Sequence, residues 1–168
     1  GKVGKALSFD GVDDYVNLAE ANYTAGNKIT VITWIKPNNA NVGAIVETYN
    51  GGIRWTFTLW RDPSPNPVHI KVSGACDIVG IATIPINQWS FVGLTYDSSI
   101  CRIIVNGVID KSGSGVTTLS SSTKPTFGIQ DLGGGSFTRP FAGLIDEVRI
   151  YNRALSDQEI KALYDSTK

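Results

Sequence analysis

The sequence predicts an all-β fold, two antiparallel sheets packed face to face, with one short helix at the C-terminus. Short runs of branched and aromatic residues recur along the chain, as strands require. Glycine, proline and asparagine interrupt them at short intervals, which favours turns over helices. A helical pattern appears only in about the last dozen residues.

Taken in order, the chain opens with Ala6-Leu7-Ser8-Phe9-Asp10-Gly11-Val12-Asp13-Asp14-Tyr15-Val16, a tight turn carrying three carboxylates. Strands are expected at Ile29–Ile35, Ala44–Val46, Ile53–Trp60, Val68–Val72, Ile78–Ile84, Trp89–Tyr96 and Arg102–Val105. Asn106-Gly107, between Cys101–Val105 and Val108–Lys111, is the strongest hairpin signal, because both residues tolerate the positive φ of a type I′ turn. Asp62–Pro67 reads as a stiff surface loop, and the polar Ser112–Ser122 segment as surface chain. Phe141 to Ile160 gives a closing strand, a link and a capped helix. Ser156 and Glu159 have capping-box spacing, with Leu155 and Ile160 placed as a hydrophobic staple.

Composition narrows the function. With 15 basic and 15 acidic residues, scattered, the net charge is zero, which argues against a nucleic-acid groove or an anionic membrane surface. No apolar run approaches the roughly 20 residues of a membrane span, and no signal peptide is recognised. The 168 residues are expected to form one domain, 1–168. Cys76 and Cys101 either form a bridge or are two buried thiols; without further cysteine or histidine partners they make no zinc site.

The Phe141–Ile160 phrase and the Ala6–Val16 motif resemble the terminal signatures of laminin-G-like, concanavalin A-like jelly-roll domains. The resemblance implies a two-sheet antiparallel jelly-roll sandwich whose first and last strands pair. Because the chain begins inside a family motif, it reads as a module of a larger extracellular or cell-surface protein, with targeting information in its flanks. The expected function is a non-catalytic binding module that takes carbohydrate or another cell-surface ligand. The alternatives are a structural or protein-interaction domain and, further off, a glycan-active enzyme. Trp34 and Trp89 sit where the family places packing tryptophans. Trp55 shares strand parity with Phe57 and Leu59 and should point inward.

Glycoside hydrolysis ordinarily needs paired carboxylates about 5–9.5 Å apart. No strand here carries the Glu-x-Asp-x-Glu pattern of jelly-roll hydrolases, Asp146 and Glu147 are adjacent, and Glu47 stands alone in its segment. His69, the only histidine, reads as a surface residue. No catalytic residue is assigned.

Some relatives hold a structural calcium near their termini, and pairing of the terminal strands would bring Asp10 and Asp13 to Asp146 as ligands. The competing reading is local turn-capping by Asp10 and Asp13, with Asp146 paired to a cation. The segment Phe127 to Gly135 also resembles, more distantly, the glycine-rich metal loop of pentraxins. There Gln130 and Asp131 survive, but Tyr49 stands where an acid is expected before Asn50. Trp60 shares a strand face with Arg54 and either stacks on a sugar ring or packs under the Asp62–Pro67 loop. The expected ligand residues are therefore Tyr49, Asn50, Arg54, Trp60, Gln130 and Asp131.

Overall fold

The computed structural model describes residues 1–19, 21, 23–41, 43–50, 53–59, 67–72, 75–119 and 124–168, with the backbone alone at 25, 49, 50 and 53–59. The strands begin with β1 (Leu7–Asp10), β2 (Val16–Asn17), β3 (Ile29–Pro37), β4 (Gly43–Asn50) and β5 (Ile53–Leu59). Next come β6 (Val68–Val72), β7 (Cys76–Val79), β8 (Ser90–Tyr96), β9 (Ile100–Val105) and β10 (Val108–Ser114). The last are β11 (Pro125–Phe127), β12 (Gln130–Asp131), β13 (Phe137–Thr138) and β14 (Ala142–Tyr151), followed by the helix α1 (Asp157–Thr167).

Two six-stranded antiparallel sheets form the predicted sandwich. The back sheet has the order β1-β14-β3-β8-β9-β10, the front sheet β2-β11-β4-β5-β6-β7, and β12-β13 make a separate hairpin. The core between the sheets is apolar: Val31, Ile35, Val92, Leu94, Tyr96 and Ile103 from the back sheet meet Val46, Val68, Ile70, Val72 and Phe127 from the front. These positions alternate along their strands, as a strand with one buried face requires.

A second apolar cluster lies outside the back sheet, where Ile32, Trp34, Phe91 and Ile104 are covered by Leu155 and Ile160. The capping box forms: Ser156 Oγ accepts from Glu159 N, and Glu159 Oε2 accepts from Ser156 N at 2.9 Å. Trp34 is buried here rather than between the sheets. It lies stacked on Tyr164 and edge-on to Phe91, and donates from Nε1 to Thr167 Oγ1 at 2.9 Å. Trp89 packs on the same cluster only half-buried. The Asn106-Gly107 turn has φ of 50° and 80°, and a Cβ at Gly107 would lie 2.8 Å from the Tyr164 ring, so this turn and the helix constrain each other.

Cys76 of β7 and Cys101 of β9 are bridged, tying the front sheet to the back one. Several strand limits differ from the sequence reading, and β4, expected over Ala44–Val46, runs Gly43–Asn50. The strand expected over Ile78–Ile84 ends at Val79, because the Asp110 carboxylate accepts from Ile81 N at 2.6 Å and Ala82 N at 2.9 Å, replacing ladder partners. The strand after the hairpin instead runs on to Ser114 across a register shift between Ile109 and Lys111. Leu119, within the segment expected at the surface, is buried.

Candidate functional site

Adjacent residues in the front sheet send their side chains to opposite faces, so its register separates an inner row from an outer row. The inner row runs Val16, Phe127, Val46, Phe57, Ile70, Ile78, apolar on every strand. One residue along, the outer row runs Asn17, Thr126, Glu47, Thr56, Lys71, Asp77, polar on every strand. A polar row across a whole sheet is the sequence's means of leaving that face without an apolar cover.

Part of this row is nevertheless withdrawn from water. Glu47 is 0% exposed and Thr126 2%. Glu47 Oε1 accepts from Gln130 Nε2 at 3.2 Å, and Gln130 is itself buried, so the β12-β13 hairpin is anchored on β4. Thr126 Oγ1 donates to Asn17 Oδ1 at 2.8 Å. His69, in the next outward position of β6, is buried rather than at the surface and pairs through Nε2 with Asp77 Oδ1. Lys71 Nζ reaches Asp77 Oδ2 at 2.8 Å. The Lys71 hydrogen bond, with His69 beside it, holds the Asp77 carboxyl below its usual range against the opposing effect of burial.

Of the expected ligand residues, Gln130 and Asp131 are on β12, and Asp131 Oδ1 accepts from Gly133 N at 2.7 Å. Tyr49 and Arg54 are cross-strand partners at the far end of the β4-β5 pair, with Asn50 next along. Tyr49 stands two residues beyond Glu47, in the same strand parity. The side chains of Tyr49, Asn50, Arg54 and Trp55 and all of Trp60 lie outside the described residues. Neither the His69-Asp77 pair nor the Glu47-Gln130 pair was recognised in the sequence; the polar-apolar alternation of Val46-Glu47 and His69-Ile70 was the available signal.

The terminal strands pair as expected, but their register does not unite the expected metal ligands. Asp10 faces Ala142, four residues from Asp146, or about 13 Å along a strand. Asp146 instead accepts from Lys2 N and Val3 N through Oδ2, at 2.7 and 2.9 Å, and from Glu147 N through Oδ1. It is a clasp for the N-terminal segment. The carboxylates that do gather are Asp10, Asp13 and Asp14, all exposed, with oxygens within 4.8 Å of one another. Asp10 Oδ1 accepts from Val12 N and Asp14 Oδ2 from Asp10 N, so the turn holds two of them in place.

Among the described residues no helix is long and apolar enough to cross a membrane. A model of the concanavalin A-like lectin/glucanases superfamily matches residues 10–161. A search of curated proteins finds no match. Among solved structures, the fold is similar to domain 4 of AbnA, a GH43 extracellular arabinanase from Geobacillus stearothermophilus, in complex with arabinotriose. That match has a TM-score of 0.77 and 23% identity and covers 98% of this chain and 78% of that one. A heptameric SAP-like pentraxin from Limulus polyphemus matches with a TM-score of 0.74 at 17% identity, over 94% of this chain and 80% of that one. The CBM40 of the Ruminococcus gnavus IT-sialidase, bound to α2,3 sialyllactose, matches with a TM-score of 0.72 at 13% identity, over 96% and 97%. At these identities the likeness is one of fold.

Proposed function

The chain belongs to the concanavalin A-like lectin/glucanase superfamily, and from that premise we propose that it is a non-catalytic carbohydrate-binding module of a larger extracellular or cell-surface protein. The observation that carries this is the polar row across the outer front face, with Glu47 in the row and Gln130 beside it buried and hydrogen-bonded to each other. That buried pair fixes the β12-β13 hairpin on β4, so Asp131 and the polar groups around it are pre-ordered for the hydroxyls of a sugar. Tyr49, Asn50, Arg54, Trp60, Gln130 and Asp131 are the proposed contacts. Carbohydrate binding by domains of similar fold supports the reading, since those structures contain arabinotriose and sialyllactose. The disulfide favours an oxidising, extracellular setting.

Within the outer front row, binding is preferred to catalysis on distance. Glu47 and Asp77 share the outer row but are three strand spacings apart, about 14 Å and beyond the separation of an inverting pair. A structural calcium is proposed at Asp10, Asp13 and Asp14, without Asp146. Three carboxylates are the right hard donors, with turn carbonyls and water left to complete the shell.

The test is an oligosaccharide array probed with the wild type and with Glu47→Gln. The wild type should bind at least one glycan, and the variant should bind it at least tenfold more weakly while staying folded by circular dichroism. A wild type that binds no glycan would favour the structural or protein-interaction reading.

A further inference from the structure

Tyr15 and Phe137 are far apart in sequence and touch in space. Their rings are stacked, 5.1 Å between centroids and 22° between planes. Both remain open to water, at 46% and 40% exposure. Both lie outside the two apolar clusters, and the stack leaves nearly half of each residue open to solvent.

The pair is held firmly. Phe137 is on β13, opposite Asp131 of β12. That hairpin is closed by Leu132 N donating to Ser136 O at 2.8 Å and fixed to the front sheet through Gln130 and Glu47. Tyr15 lies between the acidic turn and β2. Gly128 draws the two segments together: it has φ of 85°, and a Cβ there would stand 3.1 Å from Asp14 O and 2.2 Å from the Phe9 ring. Tyr15 directly follows Asp13 and Asp14 in the chain, and Phe137 is the cross-strand partner of Asp131.

We infer that Tyr15 and Phe137 form a stacking platform for a neutral saccharide at the rim of the front face. Rigid aromatic rings give a sugar's apolar C–H face a large contact at small entropy cost. The flanking carboxylates accept hydrogen bonds from its hydroxyls. They also set the charge of the ligand. Asp10, Asp13, Asp14 and Asp131 repel an acidic sugar, and Arg139, two residues beyond Phe137, is only half-exposed and already engaged. A divalent ion on the acidic turn would leave that sign unchanged, because three carboxylates outweigh it and Asp131 adds a fourth.

This inference rests on the carbohydrate-binding reading and deepens it. The experiment is an array of matched neutral and sialylated oligosaccharides, run with wild type, Tyr15→Ala and Phe137→Ala, with calcium and with chelator. Binding is expected only to neutral members. Each variant should weaken it by about ten- to thirtyfold, with a thermal midpoint close to that of the wild type. Equal binding of sialylated partners, or unchanged neutral affinity in both variants, overturns the platform. If Glu47→Gln then still abolishes binding, the carbohydrate reading stands and the ring site lies elsewhere. If the wild type binds nothing on the array, both fall together.

Discussion

On the back sheet, the outward residues Ile32, Trp34, Phe91 and Ile104 are apolar and lie under α1. On the front sheet, the outward row from Asn17 to Asp77 is polar on every strand and, among the described residues, has no helix over it. Both sheets send apolar residues into the shared core, so the inner faces do not distinguish them. The outer faces do. An apolar outer row must be covered, and the chain ends in a helix that covers it. A polar outer row can face water, yet Glu47, Thr126, Gln130 and His69 are buried in or beside it and hydrogen-bonded there or paired with Asp77. Burial of polar groups costs stability unless each is partnered, and an ordered polar patch is what a polar ligand needs.

The largest effect separating the two faces is expected from Trp34→Ala. Truncating a buried tryptophan costs about 3–5 kcal/mol, and here it also removes the stack on Tyr164 and the bond to Thr167. Urea unfolding should show that loss while the affinity for any glycan found on the array stays within about twofold, as expected for distant, independent sites. A matching loss of affinity in folded protein would mean that the faces are coupled.

Next in size is the disulfide, which joins one face's sheet to the other's. Replacing Cys76 and Cys101 with alanine releases a bridge spanning 25 residues. The chain-entropy estimate is about 3 kcal/mol, or roughly 6–12 °C in thermal midpoint for a chain of this size. Reductant should lower the wild-type midpoint and leave the double variant unmoved. A reductant-insensitive wild type would mean that the bridge does not form in solution.

Calcium should act at the rim and leave the helix-covered face untouched. If the acidic turn binds the ion only when folded, a hundredfold excess over Kd raises stability by about 2.7 kcal/mol. Chelator should reverse this, and Asp13→Asn should weaken it. Asp146→Asn should alter stability without altering the calcium response, because its oxygens hold Lys2, Val3 and Glu147.

What was legible in the sequence follows the range of the interactions. The capping box joins residues three apart and the Asn106-Gly107 turn is adjacent in the chain, so local chemistry dictates both. The sandwich was read from many short branched and aromatic runs broken by turn residues, and from the resemblance carried by the two terminal motifs. The candidate site is different, because each of its contacts depends on register. Asp10 and Asp146 are both in paired terminal strands, yet the ladder sets Asp10 against Ala142. His69 looked solitary because Asp77 is on a different strand. Asp110 ends β7 from the far side of a hairpin, and Tyr15 meets Phe137 through a hairpin with no strong sequence signal of its own.

The smallest effect tests the cover of the back face at its edge. Ser156→Ala removes one half of the capping box and should cost about 1 kcal/mol. Glu159 supplies the other half. Two bonds from Arg153 and one from the Ser156 backbone hold its carboxyl down at about 2, from an ordinary value of 4.5. A depressed folded-state value means that this contribution is complete above the unfolded value and fades as pH falls from 4.5 toward 2. Glu159→Gln should therefore be less stable than wild type at neutral pH, with the difference shrinking through that window. Because both groups are fully at the surface, salt should narrow the gap as well. A difference that persists at pH 2 would show that the side chain acts through packing on α1 rather than through its charge.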